Sequence, residues 1–234
     1  MSTFLLKVLI LIEIRENMTR FIVIRHCEAV GNRERIFQGT YDGEVSQLGK
    51  QQLDYLALRF RNEHIDRIFS SSRKRAQATA EAVNRYHHLE IETDDRIIEI
   101  NAGEWEGKPF SEFPRLFPKE MELWDNHPSR FIAPGGEKMR DVYERMSAFV
   151  IEKAQQYSGQ TIVLASHGCA IRNLLCWAEQ IGFENLGDEI WCANTAVNII
   201  EVDDALHPHL ILKNDISHLP EQMQTLSSQK WNSK

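Results

Sequence analysis

Phe21-Ile22-Val23-Ile24-Arg25-His26 is the stretch on which the reading of this chain turns. Four apolar residues run without a break, three of them β-branched, and two polar residues end the run. A half-exposed strand alternates apolar and polar residues; an unbroken short run is the pattern of a strand buried on both faces. Similar runs occur at 65–69 and 161–165, with further strand candidates at 195–202 and 210–213. Between them apolar residues recur at helical spacing: Leu53, Leu56, Ala57, Phe60; Ala76, Thr79, Ala80, Val83; Val142, Met146, Phe149, Val150; and Ala170, Ile171, Leu174, Leu175. Strands alternating with helices predict an α/β fold, a three-layer α/β/α sandwich around a mainly parallel central sheet.

Residues 101–136 break that rhythm. They carry Trp105, Phe110, Phe113, Phe117, Trp124 and Phe131 among five prolines, Pro109, Pro114, Pro118, Pro128 and Pro134. So many prolines exclude one long helix. The segment is expected to form an aromatic insertion that caps one end of the sheet, which is compatible with its also being a satellite core beneath a long loop. The predicted organisation is a single domain over 18–234 with this cap, preceded by an ill-ordered extension at 1–17. The apolar run from Phe4 to Ile14 contains Lys7 and Glu13 and is shorter than the roughly 20 residues that span a bilayer. Glu13, Arg15 and Glu16 stand where a signal-peptide cleavage site would need small residues. Met18 is the expected true start.

With 234 residues, 42% hydrophobic and 26% charged, the chain can bury a core without disulfides or a structural metal. Cys27, Cys169, Cys176 and Cys192 form no CxxC pair and are expected as reduced thiols of a cytoplasmic protein. A net charge of −7 argues against general affinity for nucleic acid or an anionic membrane. It leaves room for an anionic small-molecule substrate where arginines cluster in one cleft. The sequence allows a homodimer without setting the oligomeric state.

Ligands of parallel α/β sheets sit at the carboxyl ends of the strands. Arg25-His26 ends the first strand, Ser70 to Arg75 follows the second and Ser166-His167-Gly168 the third, with Glu99 in a turn-like stretch before the cap. Taken singly, each has an ordinary role: a surface pair, a solvated helix start, a core histidine. Together they suit phosphoryl chemistry. Two guanidiniums grip a phosphoryl group in forked geometry and keep a nearby imidazole neutral. His26 can then act as nucleophile, His167 can donate to the phosphoryl oxygens, and Glu99 can protonate the departing alcohol before taking a proton from water. No step calls for a metal or cofactor, and none is expected.

The motifs extend this reading. Arg25-His26-Cys27-Glu28 with Asn32, then Phe37-Gln38-Gly39, Asp42, Leu48-Gly49 and Gln52, resembles the RHGE(T/S)…N segment of the histidine phosphatase superfamily, the phosphoglycerate-mutase-like group. Ser70-Ser71-Ser72-Arg73-Lys74-Arg75-Ala76 with Thr79-Ala80, Glu99 with Gly103-Glu104-Trp105-Glu106-Gly107, Pro134-Gly135-Gly136-Glu137, and Ser166-His167-Gly168 with Ile171-Arg172 resemble its later elements in the right order. The resemblance implies that His26 is the nucleophile and Glu99 the acid/base. It implies a phosphate pocket of Arg25, Arg75 and His167, to which Asn32, Gln38 and Gly39 are carried over. Cys27 and Ala29 depart from the pattern, where the family carries Gly and Thr or Ser; Cys27 is expected to crowd the pocket slightly.

The short interval from Glu99 to His167, with no basic, proline-rich segment to hold a carboxylate, favours a phosphatase over a cofactor-dependent mutase. A non-catalytic phosphate-binding module is the third alternative. A dinucleotide-dependent dehydrogenase is discounted, because no GxGxxG follows the first strand. The aromatic, weakly basic cap points to an ester of apolar or mixed character rather than a polyanion.

Overall fold

The computed structural model describes residues 18–225; the expectation of an ill-ordered extension at 1–17 lies outside them. Strand β1 (Thr19–Arg25) leads through a short helix α1 (Val30–Glu34) to α2 (Gln47–Phe60), and β2 (Arg67–Ser70) to α3 (Lys74–Asn84) and β3 (Ile91–Thr93). After α4 (Phe113–Leu116), α5 (Pro118–Asn126) and α6 (Met139–Gln156) come β4 (Thr161–Ser166), α7 (Gly168–Ala178) and the pair β5 (Val197–Val202) and β6 (Pro208–Asp215). The strands form one sheet in the order β3-β2-β4-β1-β5-β6. The first four are mutually parallel; β5 runs antiparallel to β1 and to β6. The fold is α/β with a mostly parallel sheet.

Alternation along each strand sorts the core into two layers. Phe21, Val23, Phe69, Ile162 and Leu164 face α6, α7 and the aromatic segment. Ile22, Ile24, Ile68, Val163 and Ala165 face the other way, onto Leu56 and Phe60 of α2 and Ala76, Ala80 and Val83 of α3. Both faces of β1 are covered, which is why its sequence is apolar without interruption.

The segment 101–136 consists of short α and 3₁₀ turns, with Pro114, Pro118 and Pro128 in first turns, where a missing N–H costs nothing. Its rings pack on one another: Trp105 lies on Phe113 at 4.2 Å and 23°, and against Phe131 at 5.0 Å. These rings join the core layer on the α6 and α7 face of the sheet. The segment also reaches the site, since Phe110 and Trp124 line the pocket that contains His26.

Gly103 ties this segment to the turn at 134–136. It sits at φ +54°, and a Cβ there would lie 2.1 Å from the carbonyl oxygen of Pro134. Left-handed backbone and a clash with main chain are both unfavourable. Gly103→Ala is therefore expected to cost about 2 kcal/mol or more and lower the thermal midpoint by about 5 °C in a chain of this size. A melting curve unchanged within 1–2 °C, roughly the resolution of such scans, would show that the turn can shift.

Candidate active site

Register builds the site. In the sheet Arg25 pairs with Ser166 and Ser70 with Ala165, so three neighbouring strands end at one level. The residues just beyond, His26, Ser71 and His167, therefore meet. His26 N–H donates to Ser166 O at 2.9 Å, and the imidazole centroids of His26 and His167 are 5.1 Å apart. The loop before β5 closes the rim from the other side: Asn194 Nδ2 donates to His26 O at 2.9 Å, and Arg25 Nη1 donates to Cys192 O.

The proton on His26 is fixed by its partner. Nδ1 lies 2.6 Å from Cys27 O, and a carbonyl can only accept, so Nδ1 carries the hydrogen and Nε2 the lone pair. Arg75 Nε approaches that Nε2 at 3.3 Å. Burial, then the charges of Arg75 and Arg25, hold the imidazole well below its ordinary pKa of 6.5. His167 is held low by the same causes, burial first. Its Nε2 lies 2.7 Å from Ser71 Oγ, while its buried Nδ1 has no hydrogen-bond partner among the described residues.

Glu99 sits across the N-terminus of α7. Its carboxylate accepts from Cys169 N and Ala170 N at 3.0 Å each, and from Ile100 N at 2.9 Å. Those N–H groups favour the charged form, yet Glu99 is only 8% exposed and burial outweighs them, raising its pKa above 4.5. The loop that carries it is pinned on both sides. Arg145 donates to Arg96 O and Ile98 O at 2.7 Å and pairs with Glu137, which in turn accepts from Asn101 N.

The open pocket over these groups takes in Arg25, His26, Asn32, Gln38 and Glu99. Asn32 spends its Oδ1 on Ala29 N at the start of α1, leaving its NH₂ to offer. The Gln38 amide is buried with neither end hydrogen-bonded among the described residues.

Arg75, His167 and Gly39 lie behind this wall rather than in it. Arg75 is fully buried, its guanidinium held by the carbonyls of Gln38, Gly39 and Tyr41 at 2.7–3.1 Å while Nε faces His26. Gly39 serves that arrangement through its backbone: a Cβ there would lie 2.1 Å from Ile100 O.

Several other motif residues prove to be scaffold. Glu106 accepts the N–H groups of Gly39, Thr40, Tyr41 and Ala102 and so shapes the loop that holds Arg75. Glu28 is buried against Ser46 Oγ at 2.6 Å, and Arg172 holds the backbone at 187 and 189. Cys27 does not crowd the pocket. It is fully buried toward Arg75 O and Thr79, and burial pushes its thiol up to about 12, an inert group.

Ile36 and Trp191, which no sequence motif singles out, complete the wall with Phe37, Phe110 and Trp124. Trp191 sits in a loop far along the chain, where a large aromatic residue outside any periodic element is the one signal available.

This geometry belongs to a known family of phosphate-handling enzymes. The chain is a member of the histidine phosphatase superfamily (branch 1), which it matches over residues 21–215. It is an enzyme of the phosphatase kind. It is 32% identical to phosphoserine phosphatase 1 of Hydrogenobacter thermophilus over 87% of this chain and 96% of that one. It is 30% identical to phosphoglycerate mutase-like protein 4 of Arabidopsis thaliana, over 86% of each chain. Among solved structures, YhfR of Bacillus stearothermophilus superposes with a TM-score of 0.81 at 29% identity, covering 86% of this chain and 98% of that one. No helix among the described residues is long and apolar enough to cross a membrane.

Proposed function

We propose that the protein hydrolyses phosphomonoesters of small molecules through a phosphohistidine on His26. The observation that carries this reading is the committed Nδ1–H of His26, which leaves Nε2 unprotonated in the pocket lining, its lone pair accepting from buried Arg75 Nε.

Nε2 attacks phosphorus and the ester P–O bond breaks. The departing oxygen takes a proton from the protonated form of Glu99, a form that its burial favours. Water then attacks the phosphohistidine, gives its proton to the Glu99 carboxylate, and the P–N bond breaks to return neutral His26 and phosphate. Arg25 and Asn32 offer donors to the phosphoryl oxygens from the pocket wall, and Arg75 Nε–H turns from Nε2 to phosphoryl as the new bond forms. Ser71 Oγ accepts from Arg73 N at 3.3 Å and lies 2.7 Å from His167 Nε2. The buried Nδ1 of His167 has no hydrogen-bond partner among the described residues, and as the protonated nitrogen it donates to a phosphoryl oxygen. Gln38 presents its amide to the bound ester, and Gly39 contributes through the carbonyl that aims Arg75.

Every step is carried by protein groups, so phosphate release from a panel of phosphomonoesters is expected to survive EDTA within about twofold. Loss of turnover in the chelator, restored by a divalent cation, would overturn the reading. Interconversion of phosphoglycerates without net phosphate release would instead make the protein a mutase. Phosphate binding with no turnover would make it a binding module.

A further inference from the structure

Much of the pocket lining is uncharged. Ile36, Phe37, Phe110, Trp124 and Trp191 form it, and Arg25 is the only cation lining the pocket among the described residues. Trp124 and Trp191 face each other with ring centroids 5.6 Å apart and planes at 31°. Trp191 is half-buried and held in place: Arg172 lies 4.9 Å above its ring while donating to Glu189 O. Two polar groups in this wall are unspent. The indole N–H of Trp124, 4% exposed, and the amide of Gln38, 8% exposed, are buried without a hydrogen-bond partner among the described residues.

We infer that the ester's alcohol portion is a flat, uncharged, largely apolar group that packs against the aromatic lining around Trp191. The inference rests on the hydrolase reading for the chemistry at phosphorus, and for that alone. A carboxylate or second phosphate on the alcohol would be stripped of water against aromatic faces. Arg25, the one cation lining the pocket among the described residues, is assigned to the phosphoryl group on the proposed route. A ring at the same place loses little water and gains apolar contact with the aromatic lining. The wall therefore selects by what it lacks as much as by what it offers.

The test compares kcat/KM of the full chain for benzyl phosphate, O-phospho-L-serine and 3-phosphoglycerate, all esters of ordinary alcohols. Benzyl phosphate is expected to be preferred by about tenfold or more, and Trp191→Ala to collapse that ratio by about tenfold. A ratio does not depend on how much of the variant folds, and Trp191→Leu supplies a second, bulkier replacement. Binding is read separately with benzylphosphonate against 3-phosphonopropionate as competitors for a bound phosphate analogue. Equal or better turnover of the carboxylate-bearing esters, or a ratio unmoved in both variants, overturns the inference while leaving the hydrolase reading intact. Silence toward all three esters, with benzylphosphonate still bound more tightly, overturns the hydrolase reading and supports the apolar subsite.

Discussion

His26→Ala is expected to lower phosphate release by about a thousandfold or more and to abolish a trapped phosphoenzyme. The size of the loss follows from the part the residue plays. His26 supplies the only bond that splits hydrolysis into two displacements, and Ala has nothing to put in its place. The fold should tolerate the change. His26 contributes two side-chain bonds, to Cys27 O and from Arg75 Nε, while the surrounding backbone is held by Ser166 O, Asn194 and Thr195. Arg75 keeps its three carbonyl partners. The diagnostic readout is chemical: rapid quench of wild type with radiolabelled ester should leave label that is stable in base and lost in acid, as a P–N bond is. Labelling that persists in His26→Ala, or turnover reduced by less than about tenfold, would move the nucleophile elsewhere.

Much of this site is legible in the amino-acid sequence, and the reason is local. β1, β2 and β4 are buried on both faces, so each appears as a run of apolar residues, and the polar residue that ends each run stands at the carboxyl edge. His26, Ser71 and His167 announce themselves in that way. β3 does not, because Ile91-Glu92-Thr93 is an edge strand of three residues, none of them buried, with no apolar run to find. α1 is equally silent, five residues with glycine and asparagine inside and no stripe. Adjacent letters also mislead about distance from the pocket. The motif groups Gln38 and Gly39 as phosphate ligands, yet Gln38 lines the pocket while Gly39 turns its carbonyl to Arg75 behind it. The sequence pattern names the residues that matter and says little about which of them touch solvent, because that depends on contacts such as Glu106 with the 39–41 loop.

Glu99→Gln separates the two chemical steps. The amide keeps the carboxylate's shape but has no proton to give a leaving group and cannot take one from water, so turnover of alkyl esters is expected to fall by about 10²–10⁴. With p-nitrophenyl phosphate the leaving group needs no protonation, so the first step proceeds and the second stalls. A burst of about one nitrophenolate per enzyme should appear, followed by slow turnover.

The pH profile supplies an independent check. On the proposed route the free enzyme reacts with His26 neutral and Glu99 protonated. The pKa of His26 lies well below 6.5, so its protonation sets the acid limb of kcat/KM below that pH. Glu99 is raised above 4.5, so its ionisation sets the alkaline limb above that pH. The substrate's own second ionisation, at about 6, is common to wild type and variant and cancels in their comparison. In Glu99→Gln the alkaline limb should vanish and the acid limb remain, because only the first group has been removed.

The variant has a structural cost that must be kept apart from the catalytic one. The new NH₂ faces one or more of the N–H donors of Ile100, Cys169 and Ala170, and a buried donor set against a donor costs about 1–3 kcal/mol. Melting measures that cost, whereas the burst and the missing limb depend on proton transfer and would survive a destabilised fold. An alkaline limb unchanged in Glu99→Gln would mean that another group delivers the proton, and the pocket would have to be searched for it among the residues that His26 faces.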